Sequence, residues 1–415
     1  MKKLLIVGAG SCQVNAIKKM KSKGYHVIAA DYNAWTVGKS LADEAVLADA
    51  FDLDAIAETA KAHEIDGIFT VGTDQPVYVV NRVAEALNLP HDLDRYTALW
   101  VTNKKEMKQR FSKFKIPTVP YAIVNASFSS TALAGIKPPY VVKPLDSQGQ
   151  RGIFKLEGID EIRQNFDKVI AHSRQKEILV ESYYESTEVT LSGWVSRGKV
   201  SIFTITDRVC FPSDIRLGVC IAHQFPSKHQ QQYGDKIVEL THTICQHFNI
   251  ENGPIYFQFL IGEQGIKVNE IACRLGGAFE DVTIPYACGV DVLDWVISDS
   301  FNEAPPMRTY QYLSQDKPFN TQLFFCKPGK IVNMTTLSEL LELPFVIDAG
   351  YNYRIGDTIE PIKNASQRAG YFIVTGESEA EVASNISSVY DMLQFVSEKG
   401  DNLIISYEHA LIGNF

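Results

Sequence analysis

The chain lacks a run of eighteen consecutive apolar residues, so no membrane-spanning helix is expected. Its seven cysteines are scattered, odd in number and never spaced as Cys-x-x-Cys, which argues against a disulfide framework or a zinc ribbon and favours a reducing compartment. Lysine and arginine form no long stripe, which argues against binding of nucleic acid by charge alone. No internal repeat and no low-complexity segment is present.

The overall composition is that of an ordinary globular protein. The chain has 415 residues, 45% of them hydrophobic and 21% charged, and a formal net charge of −9. This length predicts two or three domains. The opening Met1–Gly8 stretch carries two lysines before an apolar run that is too short for a signal peptide, and it is better explained as a buried first strand. The expected location is the cytoplasm.

The first 95 residues alternate between apolar strands and amphipathic helices, a pattern that predicts a parallel, doubly wound sheet. A turn at Gly8-Ala-Gly10 follows the first strand and suggests a dinucleotide site, but Gln13 replaces the third glycine of that pattern. NAD binding is thus only a weak alternative. The carboxyl ends of such strands still form a ligand crevice, which the loop Gly72–Pro76 is expected to face.

The most informative segment, residues 253–277, predicts a β-hairpin with polar residues on one face. With a three-residue loop, Glu263–Gly265, Gln258 lies opposite Glu270, and Arg274 lies on the same face. An amide oxygen, a carboxylate and a guanidinium together suit Mg²⁺ and phosphate. A surface hairpin whose polar residues face water is the alternative. A two-residue loop would shift the pairing by one residue and break the group.

Lys143 ends a short apolar strand and is followed by the polar glycine loop Asp146–Gly152, whose backbone N–H groups can cradle phosphates. We expect Lys143 to contact phosphate, because a lysine on a buried strand needs a partner; a lysine that reaches water is the alternative. Lys104 is a weaker candidate, since it lies in a basic helix that a solvated surface would also produce. The acidic segment Glu181–Glu188 is either a nucleoside site or a surface loop.

In this order, the two lysines, the glycine loop, the acidic segment, the hairpin and Arg274-Leu-Gly-Gly277 resemble the ATP-grasp superfamily, over about residues 1 to 400. The resemblance implies an α/β fold of the α+β ATP-grasp type, with an N-terminal doubly wound parallel-sheet lobe, a two-lobed ATP-grasp core and a C-terminal α+β lobe. The corresponding domains are residues 1–95, 96–310 (divided into 96–175 and 176–310) and 311–415.

The resemblance also implies the roles of individual residues. Lys104 and Lys143 would contact the ATP phosphates, residues 181–183 would form the adenine hinge, and Arg274 would touch the transferring phosphate or an acyl phosphate. The implied ATP contacts are Lys104, Lys143, Ser147, Gly149, Gly152, Glu181, Ser182, Tyr183 and, at the ribose, Glu188. The implied metal ligands for Mg²⁺, with Mn²⁺ as an alternative, are Glu270 and Gln258, and the implied catalytic residues are Arg274, Lys143 and Glu270.

Two residues depart from the family's usual pattern. The first metal ligand is usually glutamate, but here it is Gln258, which also occurs in carbamoyl-phosphate synthetases and carries one less negative charge. Ala272 stands where asparagine is frequent. The sequence Glu270-Ile-Ala-Cys-Arg274 resembles carboxyaminoimidazole ribonucleotide synthetase and the L-amino-acid ligases, and the following Leu-Gly-Gly-Ala-Phe resembles the amino-acid ligase branch more closely.

The function implied is an ATP-dependent carboxylate–amine ligase that forms an amide or peptide bond through an acyl phosphate, from amino acids or similar small molecules. A bicarbonate-using ligase or carboxylase of nucleotide metabolism and a non-catalytic ATP-binding regulator are the alternatives. A homodimer is compatible with this architecture, whereas nucleic acid and membrane partners are not expected. The candidate substrate residues are Asp74, Asp207, His223, Arg274, Gly276 and Gly277.

Overall fold

The computed structural model describes residues 1–303 and 318–413. The expected boundary between residues 310 and 311 lies outside these described residues. Within them, no helix is both long enough and apolar enough to cross a lipid bilayer. All seven cysteines are free thiols.

The N-terminal region is a parallel sheet with strand order β3-β2-β1-β4. Its elements are β1 (Lys3–Val7), α1 (Val14–Ser22), β2 (His26–Asp31), α2 (Val37–Leu41), β3 (Glu44–Leu47), α3 (Leu53–His63), β4 (Gly67–Phe69) and α4 (Pro76–Ala86). Leu4 of β1 packs in the same core cluster as Ile17 of α1, whereas Leu5 packs with Ile56 of α3. Because alternate residues of a strand face opposite sides, helices cover both faces, and the predicted doubly wound lobe is confirmed.

Two helices lead from this lobe into a second, four-stranded antiparallel sheet with strand order β5-β8-β6-β7. The elements are α5 (Arg95–Thr102), α6 (Lys104–Lys113), β5 (Tyr121–Asn125), β6 (Tyr140–Pro144), β7 (Phe154–Leu156), α7 (Ile159–Ile170) and β8 (Glu177–Ser182). A short 3₁₀ turn lies at Ser130–Leu133. Helix α7 buries Ile162, Phe166 and Val169 against this sheet, as its apolar spacing predicts.

The largest sheet has eight strands in the order β13-β12-β9-β10-β11-β14-β18-β16. Its strands are β9 (Ser186–Ser196), β10 (Lys199–Cys210), β11 (Cys220–Phe225), β12 (Asn252–Gly262), β13 (Gly265–Ala272), β14 (Phe319–Phe324), β16 (Val346–Tyr351) and β18 (Gly370–Thr375). The helices that accompany it are α8 (Ser213–Arg216), α9 (Gln230–His247), α10 (Glu280–Cys288) and α11 (Val292–Asp299). Since β11 pairs with β14, one sheet joins the predicted core to the predicted C-terminal lobe.

The remaining elements belong to the C-terminal region. They are β15 (Gly329–Met334), α12 (Leu337–Leu341), β17 (Thr358–Ile359), α13 (Glu379–Met392), β19 (Phe395–Ser397) and α14 (Tyr407–Ile412), with a 3₁₀ turn at Ala365–Gln367. Strands β17, β15 and β19 form a small sheet in that order. The Ala365 N–H donates to the Gly149 carbonyl oxygen at 3.3 Å, so the 3₁₀ turn meets the glycine loop and the C-terminal region closes one side of the cleft.

Candidate active site

The hairpin of β12 and β13 forms as predicted, but its turn is shorter than expected. Gly262 pairs with Gly265, so only Glu263–Gln264 lies between the paired residues. A shift in register further along the ladder compensates for the missing loop residue, and Gln258 still pairs with Glu270. The predicted three-residue loop was therefore wrong, whereas the predicted cross-strand pair is confirmed.

The compensating irregularity is a β-bulge at Asn269. Phe259 pairs with Val268 and Gln258 pairs with Glu270, which leaves Asn269 as the extra residue of β13. Successive residues of a regular strand face opposite sides, but at this bulge both Asn269 and Glu270 line the same cavity. No feature of the sequence predicted this bulge, so the place of Asn269 in the cavity wall was missed.

Glu270 is held by a lysine from the start of α6. The Lys104 Nζ lies 2.8 Å from the Glu270 Oε1 and also donates to the Ser147 carbonyl oxygen at 3.0 Å. Burial disfavours the carboxylate charge, but the positive charges of Lys104, Lys143 and Arg274 outweigh burial and lower the pKa of Glu270. A carboxylate kept ionised beside Lys104 could hold a metal ion in place of that lysine.

Glu181 is the centre of a second charged group. Its Oε1 lies 2.6 Å from the Lys108 Nζ, and its Oε2 lies 2.7 Å from the Lys143 Nζ. Only 2% of the Glu181 side chain is exposed. Burial opposes the charge, but the two lysines outweigh it and lower the pKa of Glu181 to about 2. Its carboxylate therefore positions Lys143, whose Nζ also donates to the Asn269 Oδ1 at 3.2 Å.

The segment implied to read adenine has its first amide groups already engaged. The Ser182 N–H donates to the Pro120 carbonyl oxygen at 3.0 Å, and the Tyr183 N–H donates to the Pro139 carbonyl oxygen at 2.7 Å. Both residues line the cavity. Only the carbonyl oxygens and side chains of these two residues would therefore be available to contact a base.

Glu188, which the resemblance assigns to ribose, forms an ion pair with Arg208 on the neighbouring strand β10. The Arg208 guanidinium also donates to the Cys210 Sγ at 2.9 Å and to the Gly218 carbonyl oxygen at 2.8 Å. Glu188 and Arg208 both line the cavity. The glutamate is thus fixed on the cavity wall by an arginine that the family resemblance did not include.

Arg274 is tied to the N-terminal lobe by Asp74. The Asp74 Oδ1 accepts from the Arg274 Nε at 2.7 Å and from its Nη2. The guanidinium lies over the Tyr256 ring, 4.6 Å from its centroid. Burial opposes the charge, but Asp74, with Tyr256 and Glu280, raises the pKa of Arg274. Asp74 and Arg274, predicted separately, form one unit that joins the lobe to the hairpin.

The glycine loop reaches over to the same unit. The Gln148 Oε1 accepts from the Asp74 N–H at 2.9 Å and from the Gln75 N–H at 3.2 Å. Ser147 and Gly149 line the cavity. Gly152, predicted to contact ATP, does not line the cavity; a Cβ there would approach the Pro144 side chain at 2.9 Å, so this glycine packs at the base of the loop.

Asp207 and His223 line the cavity, but their side chains are engaged with the protein. The Asp207 carboxylate accepts from the Ser227 hydroxyl and, at 3.2 Å, from the Lys228 N–H. The His223 Nδ1 lies 3.2 Å from the Thr206 hydroxyl. Both residues therefore shape the wall through fixed hydrogen bonds.

The cavity has a volume of about 630 Å³ and lies between the N-terminal lobe, the glycine loop, the hairpin and the C-terminal region. Gly277 lines it, whereas Gly276 does not, because a Cβ at Gly276 would lie 2.2 Å from the Glu280 carboxylate, which packs there. The predicted residues that it brings together are Asp74, Lys104, Lys143, Ser147, Gly149, Glu181, Ser182, Tyr183, Glu188, Asp207, His223, Gln258, Glu270, Arg274 and Gly277.

Three residues that matter here were missed by sequence reasoning. Lys108 follows Lys104 by four positions, a spacing that places both on one helix face and was the available signal. The position of Asn269 on the cavity wall follows only from the bulge, which the sequence pattern does not reveal. Arg368 lies far along the chain and reaches the cavity only because β18 joins the large sheet.

Comparisons with known families agree with this geometry. Residues 136–281 match the ATP-grasp domain family, and residues 322–398 match the family described as L-amino acid ligase C-terminal domain 2. The first match contains Lys143, Glu181 and the hairpin up to Arg274. The second contains Arg368 and strand β18.

Individual relatives are distant. The chain is 20% identical over 264 residues to dapdiamide A synthase of Enterobacter agglomerans, a match that covers 61% of each chain. It is 22% identical over 305 residues to the L-arginine-specific L-amino acid ligase of Bacillus subtilis, covering 69% of this chain and 70% of that one. The crystal structure of an L-amino acid ligase from Bacillus licheniformis aligns with a TM-score of 0.78 at 16% identity, over 96% of this chain and 99% of the other.

Proposed function

The chain belongs to the ATP-grasp superfamily, and on that premise we propose that it is an ATP-dependent carboxylate–amine ligase that forms an amide bond and releases ADP and phosphate. One observation carries the proposal. Lys143 from the smaller sheet and Glu270 from the hairpin line one cavity, in which Lys104 contacts Glu270 at 2.8 Å. A triphosphate that carries Mg²⁺ needs this combination of cations and a carboxylate in one place.

The donor set fits a magnesium ion that is shared with phosphate. The Glu270 carboxylate and the Gln258 amide lie opposite each other and line the cavity. The described residues contain no cluster of three or more acidic, histidine or cysteine side chains suited to a metal. Mg²⁺ is commonly bound by one or two carboxylates together with substrate phosphates, so two protein oxygens suffice. When bound, the ion would neutralise negative charge on the phosphates.

The residues of the chain have separate tasks in the proposed reaction. Lys104 and Lys143 hold the phosphates, and Glu181 and Lys108 hold Lys143 in place. A substrate carboxylate oxygen attacks the γ-phosphorus, the bond from that phosphorus to the ADP oxygen breaks, and an acyl phosphate results. Arg274, oriented by Asp74, stabilises the charge on the transferred phosphate. Such positioning and charge neutralisation dominate phosphoryl transfer.

The second half of the reaction forms the amide. An amine nitrogen attacks the acyl carbon, the carbon–oxygen bond to phosphate breaks, and the nitrogen loses a proton. The glycine loop, which contacts both Asp74 and the C-terminal turn, covers the site and excludes water that would hydrolyse the acyl phosphate. The two relatives described above are named for the ligation of amino acids and the synthesis of a dapdiamide, which supports amino acids or similar small molecules as substrates.

Release of ADP tests the proposal directly. The purified chain is incubated with Mg-ATP and with amino acids, singly and in pairs, and ADP is measured by coupled assay. We expect ADP release that depends on a particular pair and is matched by a new amide in the mass spectrum. Dependence on bicarbonate in place of an amino acid would support a carboxylase, and tight ATP binding with no turnover would support a regulator.

Two further properties belong to the same proposal. The free thiols support residence in the cytoplasm, where disulfides are rare, and fractionation of cells that express the tagged chain tests it. A homodimer is proposed as well. Light scattering on the purified chain distinguishes a dimer from a monomer of 46.3 kDa.

A further inference from the structure

Cys210 and Cys220 lie opposite each other on strands β10 and β11, where both strands border the cavity. Val209 pairs with Ala222 but Cys210 pairs with Cys220, so Ile221 is the extra residue of a β-bulge. A regular ladder would have placed Ile221 opposite Cys210. The bulge thus brings together two thiols that a loop separates in the sequence.

The backbone spacing at this pair suits a disulfide bond. In the next pair along the ladder, the Phe211 N–H donates to the Val219 carbonyl oxygen at 3.0 Å. Hydrogen-bonded and non-hydrogen-bonded pairs alternate, so Cys210 and Cys220 form a non-hydrogen-bonded pair, whose Cα atoms are typically about 4.5 Å apart. Disulfides span Cα separations of about 4.4 to 6.8 Å. The strands therefore need no rearrangement for the two sulfur atoms, which already interact, to bond.

The surroundings of the pair favour reaction at Cys220. Burial disfavours a thiolate there, but the interactions with Cys210, His223 and Arg208 outweigh burial and lower the pKa of Cys220. The interaction with Cys220, together with burial, raises the pKa of Cys210. The thiolate is the reactive form of cysteine, and neighbouring arginine and histidine side chains favour it. Both cysteines line the cavity, which gives a small oxidant access to them.

Arg208 connects these thiols to Glu188, which the family resemblance assigns to ribose. The Arg208 Nη1 donates both to the Glu188 carboxylate and, at 2.9 Å, to the Cys210 Sγ. A disulfide draws the Cys210 sulfur towards Cys220 and leaves it a weak, uncharged acceptor. The arginine then depends more on Glu188, and the glutamate accepts less well from ribose hydroxyls.

We propose that Cys210 and Cys220 form a reversible disulfide that weakens nucleotide binding when a peroxide oxidises the chain. The Cys220 thiolate attacks an oxygen of hydrogen peroxide, the oxygen–oxygen bond breaks, and Cys220 becomes a sulfenic acid while hydroxide leaves and takes up the proton that Cys220 had released. The Cys210 sulfur attacks the sulfenic sulfur, the sulfur–oxygen bond breaks, and hydroxide leaves with the Cys210 proton as a second water. Two thiols thus lose two electrons to one peroxide.

Reduction returns the chain to its first state. A small thiol attacks the disulfide, a second one displaces the first, and the two leave as their own disulfide while both cysteines regain their protons. Transient disulfides of this kind are compatible with a reducing compartment. The effect on nucleotide binding rests on the proposed role of Glu188, whereas formation of the bond rests on the strand pairing alone.

Peptide mapping tests formation of the bond. The reduced, folded chain is treated with hydrogen peroxide, its remaining thiols are blocked in denaturant, and it is digested with trypsin. Because trypsin cleaves after arginine and lysine, Cys210 falls in peptide 209–216 and Cys220 in peptide 217–228. We expect these two peptides to be linked after treatment and separate after dithiothreitol. Recovery of both peptides unlinked, or oxidised singly, would overturn the proposal.

Binding of Mg-ATP to the same samples tests the consequence. The oxidised wild type should bind Mg-ATP about 10-fold more weakly than the reduced wild type, and dithiothreitol should restore the affinity, because a charged hydrogen bond to the nucleotide is weakened. Equal affinity of the linked and the reduced chain would refute the effect on binding. Neither measurement needs turnover, so a chain that releases no ADP would fail as a ligase without affecting this test.

Variants identify the cysteines responsible, each compared with its own reduced form. Cys220→Ser should give neither the linked peptides nor a change of affinity on treatment with peroxide. Cys12→Ser is the matched control, since Cys12 also lines the cavity but its sulfur contacts the Gly277 carbonyl oxygen at 3.4 Å. It should respond as wild type does. A response that persists in Cys220→Ser, or is lost in Cys12→Ser, would contradict the assignment. The wild-type samples decide the proposal even where a variant folds poorly.

Discussion

Lys104 and Glu270 form an ion pair of 2.8 Å between the start of helix α6 and strand β13 of the hairpin. The pair places a lysine and the expected metal ligand on one cavity wall. Each group neutralises the other, so neither leaves an unpaired charge in the cleft. Under the proposed function, binding of a metal–phosphate complex would exchange this contact for two others, lysine with phosphate and glutamate with metal.

Glu270→Gln should remove most activity without unfolding the chain. The amide keeps the shape of the side chain but loses the charge that a metal ion needs, and loss of one such electrostatic contact commonly lowers kcat by about 100- to 1,000-fold. Release of ADP measures activity, and thermal unfolding checks the fold. Glu263→Gln, at the exposed turn of the same hairpin, is the control. Equal rates for both variants would contradict the assigned role.

Glu181→Gln should destabilise the fold by about 3 to 5 kcal/mol, because it leaves the buried Lys108 and the partly buried Lys143 without their anion. Urea unfolding at neutral pH measures the loss. The double variant with Lys108→Met should recover part of it, since one uncompensated charge is then removed. A loss below about 1 kcal/mol would show that the two lysines find other partners.

The same glutamate predicts a pH dependence. Its pKa falls from 4.5 in the unfolded chain to about 2 in the folded chain, so the unfolded state binds more protons between these values. The stabilisation is complete above about pH 4.5 and is lost as the pH falls toward 2. The difference in unfolding free energy between wild type and Glu181→Gln should therefore shrink on acidification. A constant difference from pH 7 to pH 3 would refute this origin.

Asp74→Ala should lower kcat more than it changes the KM for ATP. Asp74 orients the Arg274 guanidinium through two hydrogen bonds, and its loss leaves that guanidinium buried without its acid. We expect a loss of about 10- to 100-fold, by analogy with other charged hydrogen bonds. Asp74→Asn, which keeps one acceptor, should retain more activity. Asp167→Ala, on an exposed face of α7, serves as the control.

Gly277→Ala should separate the hairpin from the N-terminal lobe. A Cβ at this position would lie 2.7 Å from the Gly72 carbonyl oxygen, and backbone cannot yield as a side-chain end can. Overpacking of this kind costs typically about 1 to 3 kcal/mol. Chemical denaturation should record that loss together with reduced ADP release. Gly158→Ala, where a Cβ meets nothing within 4 Å, should change stability by less than about 1 kcal/mol.

Local pattern was enough to predict much of this molecule. Alternation of strands and helices over the first 95 residues predicted the parallel sheet, because burial on both sides of a sheet imposes that rhythm. Lys143 before a glycine loop, and polar residues on a short apolar hairpin, predicted the charged cleft, since such groups need partners. These inferences depend on the free energy of burying each type of side chain, which follows directly from the residue type.

Contacts between distant segments were decided by tertiary structure alone. The bulge at Asn269, the salt link of Arg274 to Asp74 and the approach of Arg368 to Gly277 depend on how sheets pack and twist. The ion pair of Glu181 with Lys108 could not be predicted from the sequence. It depends on the packing of α6, which carries Lys108, against β8, which carries Glu181. The sequence by itself determined which chemical groups needed partners and the order in which they appear. Only the folded chain determined which partners they have, because side-chain pairing depends on the separation in space that close packing of the sheets imposes.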